Sequence, residues 1–135
     1  MKKIVIAMSL ILSCAILAQA QAVTKGKLIK RDSPVNCEDL LAFLDVAIID
    51  WRDIQETHFI VVSRLGTGER NKNLNRARLE YVEDYLKRKE VQYLLTEGPR
   101  VEGPGRFEVY VGGRLAISIP TKRNIVRLCW GTTGA

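Results

Sequence analysis

Residues 58–89, HFIVVSRLGTGERNKNLNRARLEYVEDYLKRK, contain the change of period that decides the fold. Phe59-Ile60-Val61-Val62 is an apolar run rich in β-branched side chains, which predicts a central strand covered on both faces. Ser63-Arg64-Leu65-Gly66-Thr67-Gly68-Glu69 follows as a turn. Its Gly-Thr-Gly lacks the Gly-x-x-x-x-Gly-Lys spacing with which backbone amides cradle phosphate, so it reads as a connector. From about Asn71 to Lys89 the period becomes helical. Leu74, Ala77 or Arg78, Tyr81, Val82, Tyr85 and Leu86 form one stripe, with Glu80, Glu83, Asp84, Lys87 and Arg88 largely on the wet side. Glu83/Lys87 and Asp84/Arg88 stand four apart in the favourable order, and Lys87-Arg88-Lys89 place positive charge at the negative end of the helix dipole.

Upstream, Ser33 or Asn36 caps a helix of about 18 residues, with Glu38 and Asp39 in its first turn. Leu40, Phe43, Leu44, Ala47, Ile48 and Trp51 recur at three- and four-residue steps, and Asp39, Asp45, Asp50 and Asp53 lie on other faces as a solvated surface. Downstream, Val91–Thr96 is a strand candidate closed by Gly98-Pro99. Phe107, Val109 and Val111 alternate with polar neighbours, Gly112-Gly113 signals a two-residue hairpin, and Leu115, Ile117 and Ile119 resume the alternation. Ile125–Cys129 offers one more short strand. The order predicts an α/β (α+β) two-layer sandwich, two helices on a mixed sheet of about four strands, spanning residues 34–130. Residues 21–33 read as a flexible leader in which Lys27–Lys30 offers an edge strand, and residues 131–135 as a loose end.

The first 20 residues read as a cleaved secretory signal: Lys2 and Lys3, an apolar run from Ile4 to Leu17, then Ala18-Gln19-Ala20. The run is too short for a span of about 20 residues. Leu12-Ser13-Cys14 offers a competing lipobox, but Leu before Ser fits it poorly and the apolar run continues past Cys14. Cleavage takes the chain from 135 to 115 residues and, with Lys2 and Lys3, the net charge from +6 to +4. The processed chain then has no transmembrane segment, and its bases are too scattered to argue for nucleic acid. Cys37 and Cys129 remain, in an oxidising compartment, either as a disulfide or as two buried thiols. The disulfide is the favoured expectation. His58 is the only histidine and no Cys-x-x-Cys occurs, so neither a metal nor another cofactor is expected.

Asn71, Leu74, Asn75, Arg78, Val82, Tyr85 and Leu86, with Gly66 five residues before Asn71 and Arg106-Phe107-Glu108-Val109-Tyr110-Val111 downstream, resemble the motif of the OmpA-like, peptidoglycan-associated domain. The resemblance covers roughly residues 60–111. It implies an OmpA-C-like fold and a cleft where a strand-end Asp and a helix Arg together hold the diaminopimelate of peptidoglycan. Such a zwitterion needs a carboxylate for its ammonium and an Arg fork for its carboxylate. Arg78 falls on the Arg position, but Ser63 stands where the family has Asp. Glu69 replaces that charge only if its loop turns inward.

Two expectations follow. The first is a non-enzymatic bacterial periplasmic or secreted envelope module, binding peptidoglycan or an envelope protein through Arg78, Ser63, Arg64, Glu69 and Asn71. The second is a small secreted protein-interaction domain that keeps the scaffold, has lost peptidoglycan recognition, and uses strand edges or basic surface instead. In that case Arg78 is a helix residue paired to a carboxylate such as Glu108. Catalysis has little to work with: one histidine, no Gly-x-Ser-x-Gly and no metal-ligand spacing.

Overall fold

The structure, a computed structural model, describes residues 26–54 and 58–130. The expected signal segment with Cys14, residues 21–25 of the leader and residues 131–135 lie outside the described residues. In chain order the elements are β1 (Ile29–Lys30), β2 (Val35–Asn36), α1 (Cys37–Asp53), β3 (Phe59–Arg64), α2 (Leu74–Arg88), β4 (Tyr93–Glu97), β5 (Arg106–Val111), β6 (Arg114–Pro120) and β7 (Cys129–Trp130). The result is an α+β fold, two helices packed with a mixed five-stranded sheet of order β1-β6-β5-β3-β4. The strand beyond the expected four is β1, the edge-strand option, which pairs parallel to β6.

Asn36 caps α1, its side-chain oxygen accepting the amide of Asp39 at 2.7 Å, with Glu38 and Asp39 at the positive end of the dipole. Leu40, Leu44, Ala47 and Ile48 face inward, as the spacing predicts. Helix α2 buries Leu74, Leu79, Val82 and Leu86, and its Glu83 pairs with Lys87 at 3.4 Å. Arg88 lies 5.8 Å over the Tyr85 ring.

The register explains why β3 reads as apolar throughout. Phe59 and Val61 stand opposite Val111 and Val109, which stands opposite Ile117 on β6. All five belong to the same core as the buried helix stripes. Ile60 and Val62 point the other way, opposite Tyr110 and Glu108. The helices therefore cover one face of β3, and the expectation of cover on both faces is corrected. Its second face is shielded by neighbouring side chains of the sheet, so periodicity alone reads as two-sided burial.

Between β5 and β6, Gly112 (φ +58°) and Gly113 (φ +75°) both take left-handed backbone, the requirement of a two-residue hairpin turn. At the ends of the domain, β2 pairs parallel with β7, and the Sγ atoms of Cys37 and Cys129 lie at bonding distance, 2.08 Å. The strand expected over Ile125–Cys129 is only partly formed: β7 is confined to Cys129–Trp130, and residues 122–127 are an exposed loop. Because β3 and β4 run parallel and β5 antiparallel to them, the loops after β3 and β4 emerge at one end of the sheet, and β6 ends there too. This is where the candidate site residues fall.

Candidate functional site

Strand β3 delivers Ser63 and Arg64 to opposite faces at its last two positions. Ser63 is buried on the helix side, where its hydroxyl donates to Asn75 Oδ1 at 2.9 Å. Arg64 lies on the other face. Its Nε donates to Glu108 Oε2 at 2.8 Å, and Tyr110 donates to the same oxygen at 3.0 Å. Glu108 is thus the partner of Arg64 and does not meet Arg78, as the second reading of Arg78 had it. Asn71 is exposed and turns the loop, its side-chain oxygen accepting the Asn73 amide at 3.0 Å.

The loop after β3 does turn inward. Glu69 is 1% exposed and Arg78 is fully buried, and the two meet as a forked pair. Nη2 donates to Oε1 at 2.6 Å and Nη1 to Oε2 at 3.2 Å. The rest of the guanidinium faces the last loop, with Nε donating to the Ile125 carbonyl at 3.0 Å and Nη2 to the Lys122 carbonyl at 2.9 Å. Glu69 is held as firmly, for Oε2 accepts the Gly66 amide at 2.7 Å and Oε1 the Asn124 amide at 3.0 Å. Burial alone would push its carboxyl up. The Arg78 fork and the two amides outweigh burial and hold it below the ordinary carboxylate range.

Two glycines make room for this arrangement. A Cβ on Gly66 would fall on the backbone of Gly103, Pro104 and Gly105. A Cβ on Gly105 would stand 2.6 Å from Glu69 Oε2. The Arg100 guanidinium also donates to the Gly66 carbonyl, and the Thr67 amide to the Gly103 carbonyl at 2.8 Å. One buried charge pair therefore joins the loop after β3, helix α2 and the loop after β6.

Of the five expected ligand residues, the structure joins Glu69 to Arg78. It keeps Ser63 beneath the start of α2, places Asn71 in the exposed loop and sends Arg64 to the far face. The fork of Arg78 that would grip a ligand carboxylate is occupied by Glu69. The carbonyls of Lys122 and Ile125, which complete its shell, carry no sequence signal because any residue supplies one. The chemistry of the group is structural: two opposite charges, mutually neutralised and walled by amides.

Concave surface lies elsewhere. A groove of about 560 Å³ between the helices is walled by Leu40, Leu41, Tyr81 and Tyr85 over Cys37 and Cys129, with Tyr81 Oη 3.4 Å from Cys129 Sγ. Another of about 590 Å³ runs between α2 and β4, past Arg76, Leu79 and Leu95. Among the described residues no group of three or more His, Cys, Asp or Glu is placed to hold a metal ion. No helix among them is long and apolar enough to cross a membrane. No protein-family model matches the chain, and no curated protein or solved structure does.

Proposed function

We propose that this chain is a non-enzymatic binding domain of the bacterial cell envelope, periplasmic or secreted, in which Arg78 supports the fold instead of holding a ligand. The Glu69–Arg78 pair carries this reading. A diaminopimelate carboxylate would have to displace Glu69 from both Nη atoms and leave that carboxylate buried without its cation. Leaving one charge of a buried pair alone costs about 3–5 kcal/mol, a penalty the ligand's own contacts would first have to offset. On this reading the scaffold that the sequence resemblance implies is kept, while peptidoglycan recognition through the helix Arg is lost. The signal-like first 20 residues and the Cys37–Cys129 pair support the compartment.

Thermal unfolding with a diaminopimelate-containing muropeptide tests the proposal, because a ligand bound to the folded state raises Tm by mass action. The expected result is no shift at millimolar muropeptide. A concentration-dependent rise in wild type that is absent in a folded Arg78→Met variant would restore Arg78 as a ligand residue.

A further inference from the structure

The loops that close over Glu69 and Arg78 carry a segregated surface of their own. Arg70, Lys72 and Arg76 belong to the loop after β3 and the start of α2, while Lys122, Arg123 and Arg127 belong to the loop after β6. All six are exposed. The two loops are physically joined: Arg123 Nη2 donates to the Gly68 carbonyl at 3.4 Å, and Asn124 donates to Glu69. The one carboxylate among residues 65–73 and 121–127 is Glu69, which is buried and already neutralised, whereas Arg76 lines the groove it shares with Glu80, Glu83 and Glu97 and is set apart from this rim. The amino end of α2 opens here as well, with no acidic residue in its first turn, so its dipole adds to the positive field.

Within this basic rim the last loop shows water two adjacent aliphatic side chains. Ile125 is 46% exposed and Val126 43%. They sit just past a tight turn, in which the Ile125 amide donates to the Lys122 carbonyl at 3.2 Å and Asn124 takes left-handed backbone. Arg78 grips the carbonyls of Lys122 and Ile125 from beneath, so backbone is held while side chains face outward. Apolar tips flanked by bases are the composition that lies in the headgroup region of a bilayer. The flanking bases meet lipid phosphates, and the aliphatic groups enter the acyl boundary. A nucleic-acid strand is less well matched, because these two loops present no aromatic side chain on which bases could stack.

We infer that the 122–127 loop, with Arg70 and Lys72 beside it, docks on a membrane surface of anionic phospholipid, Ile125 and Val126 inserting between headgroups. This inference deepens the binding-domain reading by naming a partner, and it stands on residues the muropeptide experiment does not touch. Failure of one therefore leaves the other intact.

The test is cosedimentation of the chain as secreted, its amino terminus fixed by mass spectrometry. The probes are vesicles of phosphatidylcholine alone and of phosphatidylcholine with phosphatidylglycerol. Two variants change only exposed side chains: Arg70→Gln/Lys72→Gln/Arg123→Gln, and Ile125→Ser/Val126→Ser. Matching far-UV spectra and melting curves establish that they are folded. Binding is expected on anionic vesicles only. Each base contributes about fivefold, so the triple variant should bind roughly a hundredfold more weakly. The aliphatic double variant should lose at least tenfold and lose the binding that survives in 0.5 M salt. No binding to anionic vesicles overturns the inference. So does binding that ignores Ile125 and Val126 and is matched by heparin, which would make the surface a general polyanion site.

Discussion

Replacing Glu69 with Gln keeps the volume of the side chain and removes its charge, leaving the Arg78 guanidinium fully buried with only carbonyl partners. Breaking a buried pair in this way costs about 3–5 kcal/mol. A domain of this size has about 5–15 kcal/mol in total, so the variant should fold with Tm lowered by roughly 15–30 °C. Arg78→Met makes the complementary error, a buried carboxylate with two amides and no cation, and should cost a similar amount. It also strips the Lys122 and Ile125 carbonyls of their donors, at about 1 kcal/mol each. The double variant Glu69→Gln/Arg78→Met leaves no uncompensated charge, and should be more stable than the two single losses added together by about 2–3 kcal/mol. Urea unfolding followed by far-UV circular dichroism, with equal m-values across the four proteins, measures that coupling. A Glu69→Gln loss below about 1 kcal/mol, or strict additivity in the double variant, would refute the closed-pair account.

The pair also sets a pH dependence. The Glu69 carboxyl stays ionised below its ordinary range, so its contribution is complete above the unfolded value of about 4.3 and is lost as pH falls through the folded value. Urea midpoints should hold from pH 7 to 5 and fall below about 4.5, with a shallower fall in Glu69→Gln. Reducing Cys37–Cys129, which are separated by 92 residues in sequence, should lower stability by up to about 4.6 kcal/mol. A wild-type melting curve indifferent to dithiothreitol would contradict that linkage. Gly66→Ala pushes a methyl into the backbone of Gly103–Gly105, which cannot rotate aside, and should cost at least the 1–3 kcal/mol typical of overpacking. Asn36→Ala removes the cap of α1 and should cost about 1 kcal/mol in a chemical melt.

The elements whose signals are local were legible in the chain. Leu40, Leu44 and Ile48 on α1, Leu74, Val82 and Leu86 on α2, and the Gly112-Gly113 turn each carry their own period or dihedral requirement. The fold class follows from their order. What was not legible depends on loops folding back. Glu69 and Arg78 are nine residues apart, a separation that places them together only once the loop conformation is fixed by Gly66 packing on Gly103–Gly105. Glu108 offered a competing partner for Arg78, and only the alternation of β5 beside β3 gives it to Arg64. Ile125 to Cys129 reads as strand because four of its five side chains are apolar. Instead the Ile125 carbonyl is committed to Arg78 and the Asn124 amide to Glu69, so the segment stays a loop until Cys129. The two-sided apolarity of β3 misled for a related reason: a sheet can shield a face with its own neighbouring side chains as well as with helices.

The pairing of the first and last strands bears on how the chain is made. Ile29 pairs with Ile117 and Val35 with Cys129, and β6 separates β1 from β5 within the sheet. On a ribosome the amino-terminal strands emerge early and have nothing native to pair with until the final quarter of the chain follows. Pairings so distant in sequence also close slowly, since a long loop must be restrained before any contact rewards it. Completion of the sheet is therefore deferred to the end of synthesis, with β1 and β2 left unpaired until β6 and β7 have been made. For the same reason Cys37 and Cys129, 92 residues apart, can meet only once the last of the described strands has been made.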